Sequence, residues 1–583
     1  MNSESKKLAP LPSDYTSVKN IYPANFNSEL YASPSPDHVS PTEFPIYNSA
    51  VTEDLDWLCK CADILSINLD NVYIPGWAPH HASQKRGIPS PSGINTILPL
   101  YRDKVSTFIM QSHLMHLNMK WTSILNPNQT PVDVSDQPVY ALTKELILRF
   151  PEEFSKYFAL FGQLHIEQCI LVIHGQLIEG SGLLEILTEN RFSMIGLSAV
   201  VDVNNIKRAR YTLQITLCSL FKLLRDAMPD DIRELSPYDW LSQRSKESTS
   251  FLYWKLVIEL EMLILMYVRS LREGNFKLHL EVLYLLLSWF FSFNHVHYAR
   301  WLTVHWFDLY HLESKFPDLF EQFSNGNFSF QKSNREFSRM GLDQIHEQNN
   351  KVIKGAGGAS ALLNKEDNWA LLRCSFDVCS PELARVILEF EDSLDKNEIP
   401  ADSSTNHHED NDSFNKRFSS DVSRLVKSIA VNPFTKDHLT KLNNSKVLIP
   451  ETVRGVIENM KITANEQLSS FISERLVSAK VPISQPIKTN KFDIWDCSDK
   501  VLTSKFSPSK SVLKKMNSAC ESRRILAKEL FQHEINNIPQ SICQLVRKIL
   551  RCSTDQSVVS QNDSLPQHLP LQYTIQKLSH RLS

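Results

Sequence analysis

Residues 130–178, TPVDVSDQPVYALTKELILRFPEEFSKYFALFGQLHIEQCILVIHGQLI, decide the fold. TPVDVS (130–135) alternates β-favouring residues with polar ones and reads as a strand. PVYALTKELILRF has the apolar spacing of a helix, with Asp136 and Pro138 as its start signal. YFALFG (157–162) is short, aromatic and continuously apolar, as a strand covered on both faces is. A second helix follows, from about Ile166 to Ile178. Strand, helix, strand, helix with short connections predicts parallel strands joined by a crossover.

Working outward, helices dominate. VTEDLDWLCKCADILS opens the ordered chain after an arm, residues 1–50, rich in Pro, Ser, Asn and Tyr. NVYIPGW and INTILPLY lean towards strand, and 104–124 towards helix. Segments 205–227, 250–273 and 276–320 are long, apolar-periodic and poor in glycine, so 205–325 reads as a helical insertion in a mixed core spanning 51–393. A short strand is expected at 327–332, a helix at about 335–353 ended by GAGG (355–358), and another at about 365–393. Residues 394–415 are polar and acidic and read as a linker. A mostly helical region, 416–552, and a Ser/Gln-rich tail, 553–583, expected to be disordered, complete the chain. The expected class is therefore α+β to α/β, helix-dominated, with a small, partly parallel sheet.

Bulk properties exclude several classes. Hydrophobic residues are 42% and charged ones 22%, which is globular composition. The net charge of −3 carries no global nucleic-acid signal. The N-terminus has no apolar core of a secretory signal, and the longest apolar run (278–293) is shorter than the ~20 residues of a membrane span. An intracellular chain with no membrane partner is expected. The ten cysteines form no C-x-x-C pair, so reduced thiols are expected rather than a zinc site. There is no nucleophile elbow, kinase signature or zinc-finger spacing.

Three polar clusters sit where chemistry is feasible. Asp136 falls at the C-terminal edge of the first strand, where ligands gather in α/β sheets, and equally suits a helix N-cap. His165 and Glu167 hold the matching position after the second strand, or simply start a helix. In LDQIHEQNNKVIKGAGGA, Asp343, His346, Glu347 and Asn350 share one helical face, which either meets water or lines a site. The four histidines of FNHVHYARWLTVHWFDLYH (295, 297, 305, 311) lie among aromatics and read as packing. IKRARY offers Lys207, Arg208 and Arg210 as nucleic-acid contacts, or as an ordinary solvated helix face.

Taken in order, PVDVSDQPVYALTKEL (131–146), LFGQLHIEQ (160–168), LIEGSGLLEILT (177–188), KRARYTLQITLCSLFKLL (207–224), FNHVHYARWLTVH (293–305), DQIHEQNNKVIKGAGGA (343–359) and ELFQHEINNIPQSI (529–542) resemble a large family of transposable-element-derived proteins repeated in animal genomes. The resemblance covers roughly residues 50–550. Longer relatives continue past the last motif, where this chain does not, so a truncated product is expected. The resemblance carries no secure activity.

The expectation drawn is a transposase-like, ribonuclease-H-like core. In it, Asp136 and Glu347, with a middle ligand from His165 or Glu167, gather Mg or Mn for phosphodiester transfer on DNA. Nuclear location would follow from that ancestry. The second strand of such a core should carry an Asp, and FGQLHIE has none. The rival expectation is a non-catalytic helical interaction protein or a nucleic-acid-binding remnant. It requires the three clusters to be far apart, whereas the catalytic one requires them to converge.

Overall fold

Strand β1 (Val132–Ser135) and strand β2 (Phe158–Phe161) pair in parallel, Val132 opposite Phe158 and Ser135 opposite Phe161. Phe158, Ala159, Leu160 and Phe161 are all buried, the continuous burial that their apolar run predicts. The structure is a computed structural model. It describes residues 29–67, 72–84, 107–125, 127–189, 205–229, 237–331, 336–345, 347, 407–449, 451–492 and 494–495. They lie in one compact unit, Met1–Asp496. The second unit, Cys497–Ser583, lies outside the described residues, as do INTILPLY, GAGG, the helices expected near 365–393 and 518–552, and the C-terminal tail.

Helices make up most of the fold. In chain order they are α1 (Pro45–Ile67), α2 (Trp77–Ala82), α3 (Phe108–Leu125), α4 (Gln137–Arg149), α5 (Pro151–Phe154), α6 (Gln163–Ile178) and α7 (Leu183–Glu189). Next come α8 (Ile206–Ala227), α9 (Pro237–Glu247), α10 (Thr249–Glu273), α11 (Phe276–Ser292), α12 (Val296–Tyr310), α13 (Leu312–Lys315) and α14 (Pro317–Ser324). The last two are α15 (Asp412–Ser428) and α16 (Thr452–Ser470), the latter running on as π-helix through Phe471–Val477. Two small antiparallel pairs complete the fold: β3 (Phe330–Gln331) with β4 (Arg339–Met340), and β5 (Thr440–Lys441) with β6 (Asn444–Leu448).

Local signals set the long helices. Asn205, Ser248 and Asn275 cap α8, α10 and α11 by accepting from the amides of Arg208, Phe251 and Leu278. Gly274 ends α10 at φ 68°, a left-handed position where a side chain is strained. The apolar run of α11 is core. Phe276, Leu278, Val282, Leu283, Leu286, Leu287 and Phe290 are buried, each worth roughly 1.5–3 kcal/mol on transfer from water. No helix among the described residues is long and apolar enough to cross a membrane.

Four boundaries differ from those read in the sequence. The segment 276–320 breaks after Ser292, where Asn294 turns at φ 57°; asparagine tolerates this geometry, and neither Gly nor Pro announces it. Part of the N-terminal arm is tied down: Leu30 is buried, its carbonyl accepts from the Ile483 amide, and α1 starts at Pro45. The cap for α1 comes from another helix, since the Glu281 carboxylate accepts from the Ile46 and Tyr47 amides. Within 335–353, residues 339–340 are strand and helix begins only at Leu342. The end of the expected linker packs on the core: Glu409 accepts from the Ala78 amide, and α15 lies against α8.

Candidate functional site

The C-terminal ends of β1 and β2 lie side by side, joined by the Gly162 amide donating to the Ser135 carbonyl at 2.8 Å. Beyond β1, Asp136 is exposed and caps α4, accepting from the Val139 amide at 3.4 Å, with proline in the first turn. The site and capping readings of this residue are thus compatible. Beyond β2, the helix α6 starts after Gly162, which has no side chain to cap it.

That cap arrives from far along the chain. Asp343 accepts from the Leu164 amide with both oxygens (3.0 and 2.9 Å) and from the His165 amide at 3.3 Å. Its Oδ2 also lies 3.0 Å from His165 Nδ1. A carboxylate at a helix N-terminus meets unpaired amides and the positive end of the dipole. Only glycine fits at 162, because a Cβ there would stand 2.7 Å from Asp343 Oδ2 and 3.0 Å from the Ser135 carbonyl oxygen.

Gln163 locks the same junction. Its Oε1 accepts from the Leu342 amide, its Nε2 donates to the Phe328 carbonyl, and its own carbonyl accepts from the Tyr267 hydroxyl. On the other side, the Tyr298 hydroxyl donates to the His165 carbonyl at 3.4 Å.

The pair is electrostatically asymmetric. The Asp343 side chain is 8% exposed and that of His165 28%. The hydrogen bond to Asp343 raises the His165 pKa above the ordinary imidazole value against the opposing effect of burial. The charges of Asp343, Asp136 and Glu347 add to the rise. Two stretches, around Asp136 and around Asp343–Glu347, thus act on one imidazole. Nδ1 is engaged by a carboxylate, which leaves Nε2 as the chemically available nitrogen.

Glu347 is helical and exposed, while His346 and Asn350 lie outside the described residues. Asp343, read in the sequence as one of a polar stripe, turns out to be the organising residue. Asp133 was missed altogether. It is in β1 beside Gln111 and Thr143, and burial lifts its carboxyl to about 6.

Two candidates are engaged with each other in a way the sequence did not announce. Glu167 lies two residues beyond His165, roughly 200° around the helix, and so faces the core. It is 1% exposed and held by Arg210 through paired 2.5 Å bonds, so both its oxygens are engaged in an ion pair. The same pairing engages the part-buried Arg210, whereas Lys207 and Arg208 are exposed. Among the histidines of 295–311, His305 is fully buried beside Tyr140 and Phe161, as the aromatic crowding predicts.

The donors near His165 are hard carboxylate oxygens and an imidazole. Among the described residues no three His, Cys, Asp or Glu side chains close around one point, so they form no all-protein cage. A hydrated Mg ion would need only one or two carboxylates from the protein.

A family described as a domain of unknown function, DUF8702, matches residues 228–534. That span contains Asp343 and Glu347 but begins after Asp136 and His165. No curated protein and no solved structure matches the chain.

Proposed function

We propose that this chain, which belongs to the DUF8702 family, is a transposase-like protein whose strand-edge site uses a hydrated Mg or Mn ion for phosphodiester transfer on DNA. The observation that carries the reading is the Asp343–His165 contact at the ends of two parallel strands, with the charges of Asp136 and Glu347 acting on the same imidazole. Ligand and catalytic groups collect at such edges.

In this reading Asp136 and Glu347, both exposed, offer the carboxylates, and Asp343 holds the part-exposed His165 through Nδ1, leaving Nε2 for chemistry. When bound, the ion supplies charge neutralisation for a phosphate that three carboxylates would otherwise repel, and lowers the pKa of its water. His165 holds or releases a proton at Nε2. Its raised pKa makes it a better base, and protonated it opposes a cation. Affinity for the ion therefore rises as pH passes upward through the His165 titration.

One observation favours the rival, a non-catalytic helical interaction protein. Glu167, a candidate for the middle ligand, is closed off by Arg210. Titration calorimetry with Mg or Mn on wild type and on Asp136→Ala/Glu347→Ala separates the two. Binding that disappears in the double variant supports the site and warrants a DNA-cleavage assay. A wild type that binds neither ion overturns it.

A further inference from the structure

From Arg475 to Phe492 the chain carries Arg475, Lys480, Lys488 and Lys491 and no acidic residue; Glu474 precedes and Asp493 follows. In a protein with a net charge of −3 this is a local reversal of sign. The run begins in the π-helical segment, and its part from residue 479 has no helix or strand. It is nevertheless fixed in place. The Val477 carbonyl accepts from the Ser35 amide, and the Ile483 amide donates to the Leu30 carbonyl. Asn490 exchanges two hydrogen bonds with Asn294 at the turn before α12. Lys480, Lys488 and Lys491 are all exposed.

A fifth cation faces this segment. Arg300 of α12 donates to the Gln485 carbonyl at 3.0 Å, and Arg475 donates to the same oxygen at 2.6 Å. Two guanidinium groups thus converge on one neutral acceptor, with no carboxylate bonded between them among the described residues. Arg475 donates further to the Ile483 and Pro486 carbonyls and lies over the Phe471 ring, while the buried Arg300 Nε has no partner among the described residues. Burial lowers the pKa of both; the charge of Arg300 lowers that of Arg475 further, and the charge of Glu474 partly offsets it. Like charges held together and partly desolvated are unfavourable until an anion joins them.

We infer that Arg475–Lys491, with Arg300 beside it, is a polyanion-binding surface whose ligand is the phosphodiester backbone of DNA. The choice of DNA rests on the function proposed above; the basic surface does not. Phosphate oxygens match the planar guanidinium pair. Exposed lysines add little to isolated ion pairs with an acidic peptide. On a nucleic acid each such lysine releases a condensed counterion, so affinity accumulates from mobile side chains. Lys207 and Arg208, the contacts suggested by sequence, lie on α8 and are not part of this surface.

The test is fluorescence anisotropy with a short DNA duplex in EDTA, so that the outcome does not depend on the metal site. Wild type is compared with Lys480→Gln/Lys488→Gln/Lys491→Gln, exposed changes that leave the guanidinium–carbonyl bonds intact. Lys207→Gln/Arg208→Gln is the control. Wild type is expected to bind, with affinity falling as salt rises. In the triple variant the slope of log affinity against log salt should be shallower by about 0.9 for each lost contact, with the control unchanged. No duplex binding by wild type at about 50 mM salt, or an unaltered slope in the triple variant, overturns the proposal. So does tighter binding of polyglutamate than of duplex, which would assign the surface to an acidic protein.

Discussion

Asp343 caps the helix that begins at Gln163 and, with the same carboxylate, holds His165 Nδ1 at 3.0 Å. One side chain therefore sets both the start of a helix and the orientation of the imidazole that the helix presents.

Asp343→Asn keeps an acceptor for the Leu164 amide but removes the charge. His165 followed by NMR titration should have a midpoint above about 6.5 in wild type and a lower one in the variant. The sign for stability follows from the raised pKa. The contribution of this pair is fully present below the unfolded imidazole value and is lost as pH rises through the folded midpoint. Asp343→Ala also removes the cap, which costs roughly 0.5–2 kcal/mol more in urea unfolding.

Breaking the Glu167–Arg210 pair should be costly. Arg210→Met leaves an uncompensated carboxylate with 1% exposure and is expected to destabilise by about 3–5 kcal/mol. Adding Glu167→Leu should recover much of that loss, because a well-packed apolar pair can replace a buried ion pair. A double variant no more stable than Arg210→Met would mean that the pair does more than fill the core.

Gly162→Ala tests the close approach of three segments. The new methyl must displace either Asp343 Oδ2 or the Ser135 carbonyl, at an overpacking cost of about 1–3 kcal/mol. The His165 midpoint should fall towards its ordinary value even if the protein remains folded. An unshifted midpoint would show that the junction relaxes elsewhere.

His305 is fully buried, and neither ring nitrogen has a hydrogen-bond partner among the described residues. Burial, reinforced by Lys144, lowers its pKa to about 3; burial does the same to His279. A depressed histidine leaves stability intact above the unfolded value and erodes it as pH falls towards the folded one. Wild type should therefore weaken progressively from about pH 6.5 downwards. His305→Phe, which fits the aromatic surroundings, should flatten this dependence in denaturant midpoints measured against pH.

Much of the site was legible where the signals were local. The alternation of TPVDVS, the aromatic run YFALF and the Asp136–Pro138 start signal gave the parallel pair and the edge position of Asp136. What was not legible came from elsewhere in the chain. Nothing near Gly162 reveals that its helix is capped by Asp343, 179 residues from Leu164. Spacing after a strand made Glu167 look like a partner of His165, although its helical angle turned it towards Arg210. The polar composition around His407–Asn411 signalled a linker, yet Gly76 lets the Glu409 backbone approach closely enough to dock it.

The 179-residue separation between Asp343 and Leu164 also bears on how the molecule assembles. Closing a loop of that length costs entropy before any contact rewards it. Local pieces such as the β1–α4–β2 unit close over far shorter distances and should form earlier. The imidazole–carboxylate contact is then a late event, absent from any nascent or proteolysed chain that stops short of residue 343. The His165 titration would consequently report completion of the fold, distinguishing a finished molecule from a compact but unfinished one.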